Sequence, residues 1–340
     1  MGKWIKGDLH VHTRNCADGT LAVEEIIERS LPYLDFIGIS GHAYDTPDCG
    51  EAQYAEVLAA RKRWPDLPIF HTAEQNFPIP RHTMFITLPE NEEFALQREL
   101  IHNFHRQSGH EGQEEAKKAL TFVKDRWGEV NTFMIFNHPN APDVPYEDLE
   151  FIAQTNALFK VLACVDRRER RAKQTWDIGE AWDQLLCKGY RIFARNGSDF
   201  HHHYEDGGTD YLPGEFVQDC LYVEENTYSE IVKAYRTGRF FCTVGNCIEN
   251  PVFTCRPDPE KDGYFDVTLS YQANTEMEQV DIISDGKCVL SLTDLSGDLS
   301  FRGTLPGKGY FRVRGWGKPI PRKYSEGEFT PQFLLNPIFL

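Results

Sequence analysis

The sequence predicts an α/β fold built from repeated βα units, followed by a small antiparallel β-domain. Over the first two thirds of the chain, short apolar runs alternate with amphipathic helical segments. From about residue 251 the chain changes to short alternating segments separated by Gly, Pro, Asn and Asp. A chain of 340 residues is longer than a single hydrophobic core usually supports, so we expect two domains, 1–246 and 247–340.

The predicted elements follow in chain order. The first apolar run, 4–11, predicts a strand, and residues 22–30 predict the helix after it. Further strands are predicted at 36–40, 69–72, 84–88, 133–136, 158–165 and 191–194. Helices are predicted at 93–106, 114–126, 176–188 and 228–236, with one more apolar run at 239–244. The segments 265–271, 279–284, 288–292 and 310–314 indicate a sandwich-like β-domain.

Composition excludes several classes of protein. The net charge of -16 opposes binding of a nucleic-acid polymer but leaves room for a small anionic substrate at a local site. No stretch approaches the roughly 20 apolar residues of a membrane span, and the N-terminus lacks the apolar core of a secretory signal. The nine cysteines contain no C-x-x-C pair. We therefore expect a cytoplasmic protein with reduced thiols.

Histidines and acids gather at the predicted strand ends. His10 and His12 follow the first strand, and residues i and i+2 of an extended chain point to one face, as two ligands of one metal must. Asp18 lies in the next turn, where it is either a ligand or a structural turn residue. The other candidate metal ligands beside strand ends are His42, Glu74, His82, His138, Asp199 and His201. In a β/α barrel the C-terminal strand ends carry the active site, so we expect these groups to converge.

Such a cluster permits hydrolysis by a metal-bridged hydroxide, because two cations lower the pKa of a shared water and neutralise charge on the substrate. Arg14, Arg81 and Arg195 are close in sequence to the ligands and are candidates to bind phosphate, or else to form ordinary ion pairs. His202 and His203, adjacent on a turn expected to be exposed, either protonate a leaving group or have no role. The serines show no Ser-His-Asp order, and there is no phosphate-binding G-x-x-x-x-G-K-[ST] loop.

The quoted residues resemble the motifs of a known family, the PHP (polymerase and histidinol phosphatase) superfamily of metal-dependent phosphoesterases. The matching segments are Asp8-Leu9-His10-Val11-His12-Thr13, Gly41-His42, Asn137-His138-Pro139 and Gly197-Ser198-Asp199-Phe200-His201. Residues 234–241 and 335–340 are similar to the two-domain branch that includes carbaryl hydrolase. The resemblance therefore spans nearly the whole chain.

The resemblance implies a distorted (β/α)7 barrel that holds two or three divalent metals, commonly zinc, manganese or iron. By this resemblance the first metal takes His10, His12, Glu74 and Asp199; the second shares Glu74 and adds His82 and His138; the third takes Asp18, His42 and His201. The catalytic set would be His10, His12, Glu74, Asp199 and His201. The second motif departs from the family pattern, because Gly41 and Ala43 stand where an acid and Asp or Asn are usual.

Three functions are compatible with this sequence. The first is a metal-dependent phosphoesterase acting on a small phosphate mono- or diester. The second is a hydrolase of carboxylic or carbamic esters that uses the same metal site, because the same hydroxide attacks a carbonyl. The third is a non-enzymatic binding module in which metals only stabilise the fold.

Overall fold

The structure, a computed structural model, describes residues 2–42, 49–89, 92–106, 109–139, 144–155, 159–163 and 180–340. Residues 158 and 164–165 of one predicted strand, residues 176–179 of one predicted helix, and Ala43 lie outside them. Within the described ranges, no helix combines the length and apolar character needed to cross a bilayer.

The described helices and strands form a mixed α/β fold, as the sequence predicts. The helices are α1 (Val23–Ser30), α2 (Cys49–Arg63), α3 (Glu93–Phe104), α4 (Gln113–Trp127), α5 (Tyr146–Gln154), α6 (Glu180–Cys187) and α7 (Tyr228–Thr237). The strands of the first part are β1 (Lys3–Asp8), β2 (Phe36–Ile39), β3 (Ile69–His71), β4 (Gln75–Asn76), β5 (His82–Thr87), β6 (Thr132–Asn137), β7 (Phe159–Ala163), β8 (Phe193–Arg195), β9 (Val217–Val223) and β10 (Phe240–Val244). The remaining strands are β11 (Ile248–Pro257), β12 (Tyr264–Ala273), β13 (Met277–Ser284), β14 (Lys287–Leu295), β15 (Leu299–Pro306), β16 (Tyr310–Gly317), β17 (Ile320–Pro321), β18 (Glu328–Phe329) and β19 (Gln332–Phe339).

Two sheets position the metal-ligand candidates. A nine-stranded sheet has the order β14-β13-β16-β19-β10-β9-β1-β2-β3, and a five-stranded sheet has the order β4-β5-β6-β7-β8. Strands β1, β2 and β3 are parallel, as are β6, β7 and β8, so their carboxyl ends lie at common edges. The helices between them bury apolar faces; α1, for example, buries Val23, Ile26 and Ile27.

The strands of the first part do not all run in one direction. Strand β5 is antiparallel to β6, and β9 is antiparallel to β1. The connection from β4 to β5, residues 77–81, is too short for the crossover that parallel strands require. His82 is the first residue of β5 and does not precede the strand. It lies next to the end of β6, which His138 directly follows. A closed seven-stranded barrel stays a prediction.

The C-terminal part is antiparallel, as predicted, but it belongs to a larger sheet region than the small separate domain that the sequence indicates. A three-stranded sheet, β11-β12-β15, packs against the nine-stranded sheet, and β12 turns Val267, Leu269 and Tyr271 into the shared core in the alternation of a half-buried strand. Strand β19 then returns to pair with β10. The nine-stranded sheet thus continues across residue 246, and the two-domain boundary remains a prediction.

Candidate metal centre

The cluster is assembled where strands end. Just past β1, Val11 forms an isolated bridge with Phe200, and just past β2, His42 forms one with Glu74. These two bridges bring the segment after β8 against the end of β1, and the segment after β3 against the end of β2. All nine predicted metal ligands consequently lie in one contiguous group of side chains.

Glu74 is at the centre of the group. Its carboxylate is buried and lies within 3.5 Å of an imidazole nitrogen on each of five histidines. Oε1 lies 3.1 Å from His10 Nε2, 3.1 Å from His82 Nδ1 and 3.3 Å from His138 Nε2, and Oε2 lies 3.4 Å from His12 Nε2 and 3.5 Å from His42 Nδ1. A carboxylate in this position is able to bridge two cations through its two oxygens.

Two further carboxylates complete the set. Asp199 Oδ1 lies 3.2 Å from both His10 Nε2 and His12 Nε2. Asp18 Oδ2 lies 3.2 Å from His42 Nε2 and 3.0 Å from His201 Nε2. Asp18 therefore faces the cluster instead of only closing a turn.

The ligand atoms form three groups, each with all of its atoms within 4.8 Å of one another. The groups are His12, Asp18, His42 and His201; His10, Glu74, His138 and Asp199; and His42, Glu74 and His82. Compared with the sets implied by the family resemblance, His12 joins the Asp18 group and His138 joins the His10 group. The division of ligands among individual cations stays a prediction.

The donor chemistry fits divalent cations. Both ring nitrogens of His10 and of His12 are buried without a hydrogen-bond partner, which is costly unless another group, such as a cation, takes up their lone pairs. Burial lowers the pKa of His10 and so favours the neutral ring that a metal requires. Burial opposes ionisation of Glu74, but the adjacent His10 and His82 outweigh it and hold the pKa of Glu74 well below its usual value. Burial also opposes protonation of His12 and His138, but the adjacent carboxylates Asp199 and Glu74 outweigh it and raise the pKa of both rings. The site thus offers ionised carboxylates and imidazoles that share protons with them, and a bound cation would take the place of those protons.

Three residues outside the predicted ligand set support the ligand-bearing segments. Asp8 accepts hydrogen bonds from the backbone N–H of His10 at 2.9 Å and of Ser198 at 2.9 Å, and so joins two ligand-bearing segments. The Asn137 side-chain amide donates to Glu74 Oε1 at 2.7 Å. Asp8 and Asn137 belong to the quoted motifs, whereas Asp210, which accepts from the His201 and His202 N–H groups, has no sequence signal that we can identify.

Backbone conformation is unusual beside the cluster. Arg81, His138 and Asp199 have φ values of 71°, 54° and 49°, in the left-handed region that residues other than glycine rarely adopt. Such conformations persist where the surrounding structure holds them in place, and they concentrate at functional sites.

The three predicted phosphate-binding arginines lie in different environments. Arg195 is fully buried, donating from Nε to Asp219 and from Nη2 to Asp8 at 3.3 Å, so it is a structural ion-pair residue and not a substrate contact. Arg14 is exposed and pairs with Glu56 at 2.9 Å. Arg81 precedes His82 and lies close enough to His138 for its charge to oppose protonation of that ring.

The two predicted proton donors also differ. The expectation of an exposed turn is wrong for His203, which is fully buried, and Arg29 Nη2 donates to its Nδ1 at 2.8 Å. His202 is partly exposed, and its backbone N–H donates a hydrogen bond to the Asp210 carboxylate at 3.0 Å. Of this pair, only His202 is accessible to a substrate.

No protein-family profile matches this chain, and no curated protein matches it in sequence. Its structure is similar to the crystal structure of a two-domain protein from Bacteroides vulgatus ATCC 8482 that contains a predicted PHP-like metal-dependent phosphoesterase. The TM-score is 0.52 at 15% sequence identity, and the match covers 100% of this chain and 96% of the other. The resemblance to the PHP superfamily seen in the motifs is thus accompanied by a fold similar to that of the Bacteroides protein and by clustered potential metal ligands.

Proposed function

We propose that this protein is a metal-dependent hydrolase that cleaves a small phosphate mono- or diester. The observation that carries the proposal is Glu74, one buried carboxylate facing five histidines with Asp199 beside it. The similarity in fold to a protein containing a predicted PHP-like metal-dependent phosphoesterase supports the same reaction class.

The three ligand groups would hold two or three divalent cations, with imidazole and carboxylate donors suited to zinc, manganese or iron. When bound, such cations acidify a water and neutralise charge on a phosphoryl group. The chain itself contributes the placement of the donors. Asp8 fixes the backbone of His10, and Asn137 orients the Glu74 carboxylate through its hydrogen bond.

Two residues outside the ligand set have proposed roles toward the substrate. Arg81 would bind a non-bridging phosphate oxygen, since its charge acts on the adjacent His138 and its side chain is only partly buried. His202 would donate a proton to the leaving group, because it is partly exposed and follows His201 directly.

A second candidate is hydrolysis of a carboxylic or carbamic ester. The observation in its favour is the state of the arginines: Arg195 is buried against Asp219 and Asp8, and Arg14 pairs with Glu56. A carbonyl ester, which carries no phosphate charge, needs fewer cationic side chains.

The deciding experiment combines metal analysis with a substrate panel. Purified protein is assayed for zinc, manganese and iron, stripped, reloaded with each metal, and tested on p-nitrophenyl phosphate, bis(p-nitrophenyl) phosphate, p-nitrophenyl acetate and an aryl carbamate. We expect turnover of a phosphate ester. Asp199→Asn should reduce this turnover about 100-fold or more. Even replacing a residue that only hydrogen-bonds to a metal ligand lowers metal affinity or activity by roughly 10–100-fold. Asp206→Asn, an exposed acid of the same loop, is the matched control.

Full metal loading without phosphate-ester turnover under any metal would refute the phosphoesterase proposal. Preference for the acetate or the carbamate would favour the second candidate. Loss of fold in His10→Ala, together with no turnover of any ester by the loaded protein, would favour a metal-stabilised binding module.

A further inference from the structure

A cavity of about 590 Å³ lies away from the metal centre, between the first part of the chain and its last strand. Trp4 stands near the start of β1 and Phe193 at the start of β8, whereas the metal ligands follow the other ends of these strands. Trp4 precedes His10 by six residues, which is about 20 Å along an extended strand. The cavity is therefore separate from the proposed catalytic site.

Aromatic rings form the walls of this cavity. On one wall Trp4 contacts Tyr222 and Phe241 edge-on, with ring centroids 5.4 and 5.1 Å apart. On the other, Phe193 lies 6.2 Å from Phe240 and 6.1 Å from Phe339. The parts of these rings that face the cavity are suited to contact with a flat or flexible apolar group.

The cavity also has cationic side chains and an exposed apolar rim. Arg191 stacks on Phe339 at 5.1 Å, and Arg239 stacks on Tyr222 at 5.4 Å. Arg239 Nη2 also lies 3.9 Å from a carboxylate oxygen of Glu224, a long ion pair at the edge of the cavity. Val252, another lining residue, is 50% exposed. In a chain with a net charge of -16, two lining guanidinium groups make a local site for an anion.

We propose that this cavity binds a small amphipathic anion, with an aromatic or alkyl body and one carboxylate or sulfonate group. The volume is within the range of small-molecule sites, and the lining combines aromatic rings with polar and cationic groups, which suits a ligand that has both an apolar body and a charged group. The body of the ligand lies against the aromatic walls and covers Val252. Its acidic group pairs with Arg239 and Arg191, whose planar guanidinium groups suit a carboxylate or sulfonate.

The test is a fluorescence titration of the intact protein with two probes, the anion 8-anilinonaphthalene-1-sulfonate and its uncharged analogue N-phenyl-1-naphthylamine. We expect saturable binding of the anion at one site. Val252→Glu should weaken both probes at least tenfold, whereas Val130→Glu, at a position 78% exposed and outside the cavity, should not. Arg239→Gln and Arg191→Gln should weaken only the anion, by about fivefold, the upper end for an exposed ion pair. Arg256→Gln is their control.

Three results would overturn the proposal. They are no saturable binding of the anion, equal affinities in Val252→Glu and Val130→Glu, and arginine variants that bind the anion as tightly as the unsubstituted protein. Circular dichroism of each variant checks that the fold is intact. Because the readout is probe binding and not hydrolysis, the result is independent of the proposed function.

Discussion

The side-chain amide of Asn336 in β19 hydrogen-bonds to both backbone polar groups of Ala194 in β8, as the backbone of an adjacent strand would. Its Oδ1 accepts from the Ala194 N–H at 2.8 Å, and its Nδ2 donates to the Ala194 carbonyl at 3.1 Å and to the Phe240 carbonyl at 3.1 Å. Since β8 leads into the loop of Asp199 and His201, the last strand of the chain holds in place the strand from which these two candidate ligands follow.

Replacing Asn336 by leucine should destabilise the protein by about 3 kcal/mol, because buried backbone groups lose their partners at roughly 1–3 kcal/mol each. Urea unfolding followed by circular dichroism measures the change. Asn274→Leu removes an exposed side-chain amide and should have a much smaller effect. Equal effects of the two substitutions would contradict the structural role of Asn336.

Replacing Arg195 by methionine should destabilise the fold by about 3–5 kcal/mol, because it leaves Asp8 and Asp219 buried without their cation. The measurement is again urea unfolding. Arg14→Met, which breaks an exposed pair with Glu56, should leave the unfolding midpoint nearly unchanged. Near-normal stability of Arg195→Met would return Arg195 to the list of possible substrate contacts.

Arg81→Gln should raise KM for a phosphate ester about tenfold, since hydrogen bonds to charged groups contribute roughly 1.5–3 kcal/mol. The metal content should not change, because Arg81 is not among the ligand groups. Steady-state kinetics with an aryl phosphate and an aryl acetate separate a loss of phosphate binding from a general loss of activity. Only the KM for the phosphate should depend on the Arg81 guanidinium group. Arg14→Gln is the control, and equal KM values for it and Arg81→Gln would reject the role of Arg81.

His71 should make the protein less stable in acid. Burial and the nearby Arg61 lower the pKa of His71 from 6.5 to about 3, so the folded protein keeps this ring neutral. The unfolded chain gains a proton below pH 6.5, so stability falls as the pH drops from 6.5 toward 3, by about 1.4 kcal/mol per pH unit. In His71→Phe this part of the slope, measured by urea unfolding between pH 6.5 and 5, should disappear. An unchanged slope, or the same change in exposed His102→Phe, would contradict this account.

Removal of metal should destabilise the protein. Cations that bind only the folded state add about 2.7 kcal/mol at 100 times their Kd, and without them the cluster keeps acidic and unpartnered polar groups close together. We expect a chelator to lower the Tm of the purified protein and added zinc or manganese to restore it. The Tm of His10→Ala should respond less. Identical Tm values before and after verified metal removal would contradict a structural contribution from the metals.

Part of this site could be predicted because its signals are local. The His10-Val11-His12 spacing places two rings on one side of an extended segment, and their ring centroids are 5.2 Å apart in the structure. The polar residues at the ends of apolar runs likewise indicate a shared edge. The antiparallel C-terminal region was also predictable, because alternating residues and turn formers are properties of neighbouring positions.

Other features depend on contacts between distant residues. The direction of β5, which brings His82 to His138, depends on pairing with β6 about fifty residues later. The burial of Arg195 depends on Asp8 and Asp219, and the burial of His203 involves Arg29. For Arg195 and His203 the sequence left both a substrate role and a structural or absent role open, because charge and proximity to a motif do not reveal burial.

The sequence by itself therefore determined the residue types of a cluster of potential metal ligands, their places at strand ends, and the change to an antiparallel C-terminal region. Only the tertiary structure decided which ligands share a group, which arginines are buried, and how Asn336 supports β8. The physical reason is that local spacing sets which side chains face the same way, whereas partners and burial are set by strand pairing and packing across the whole chain.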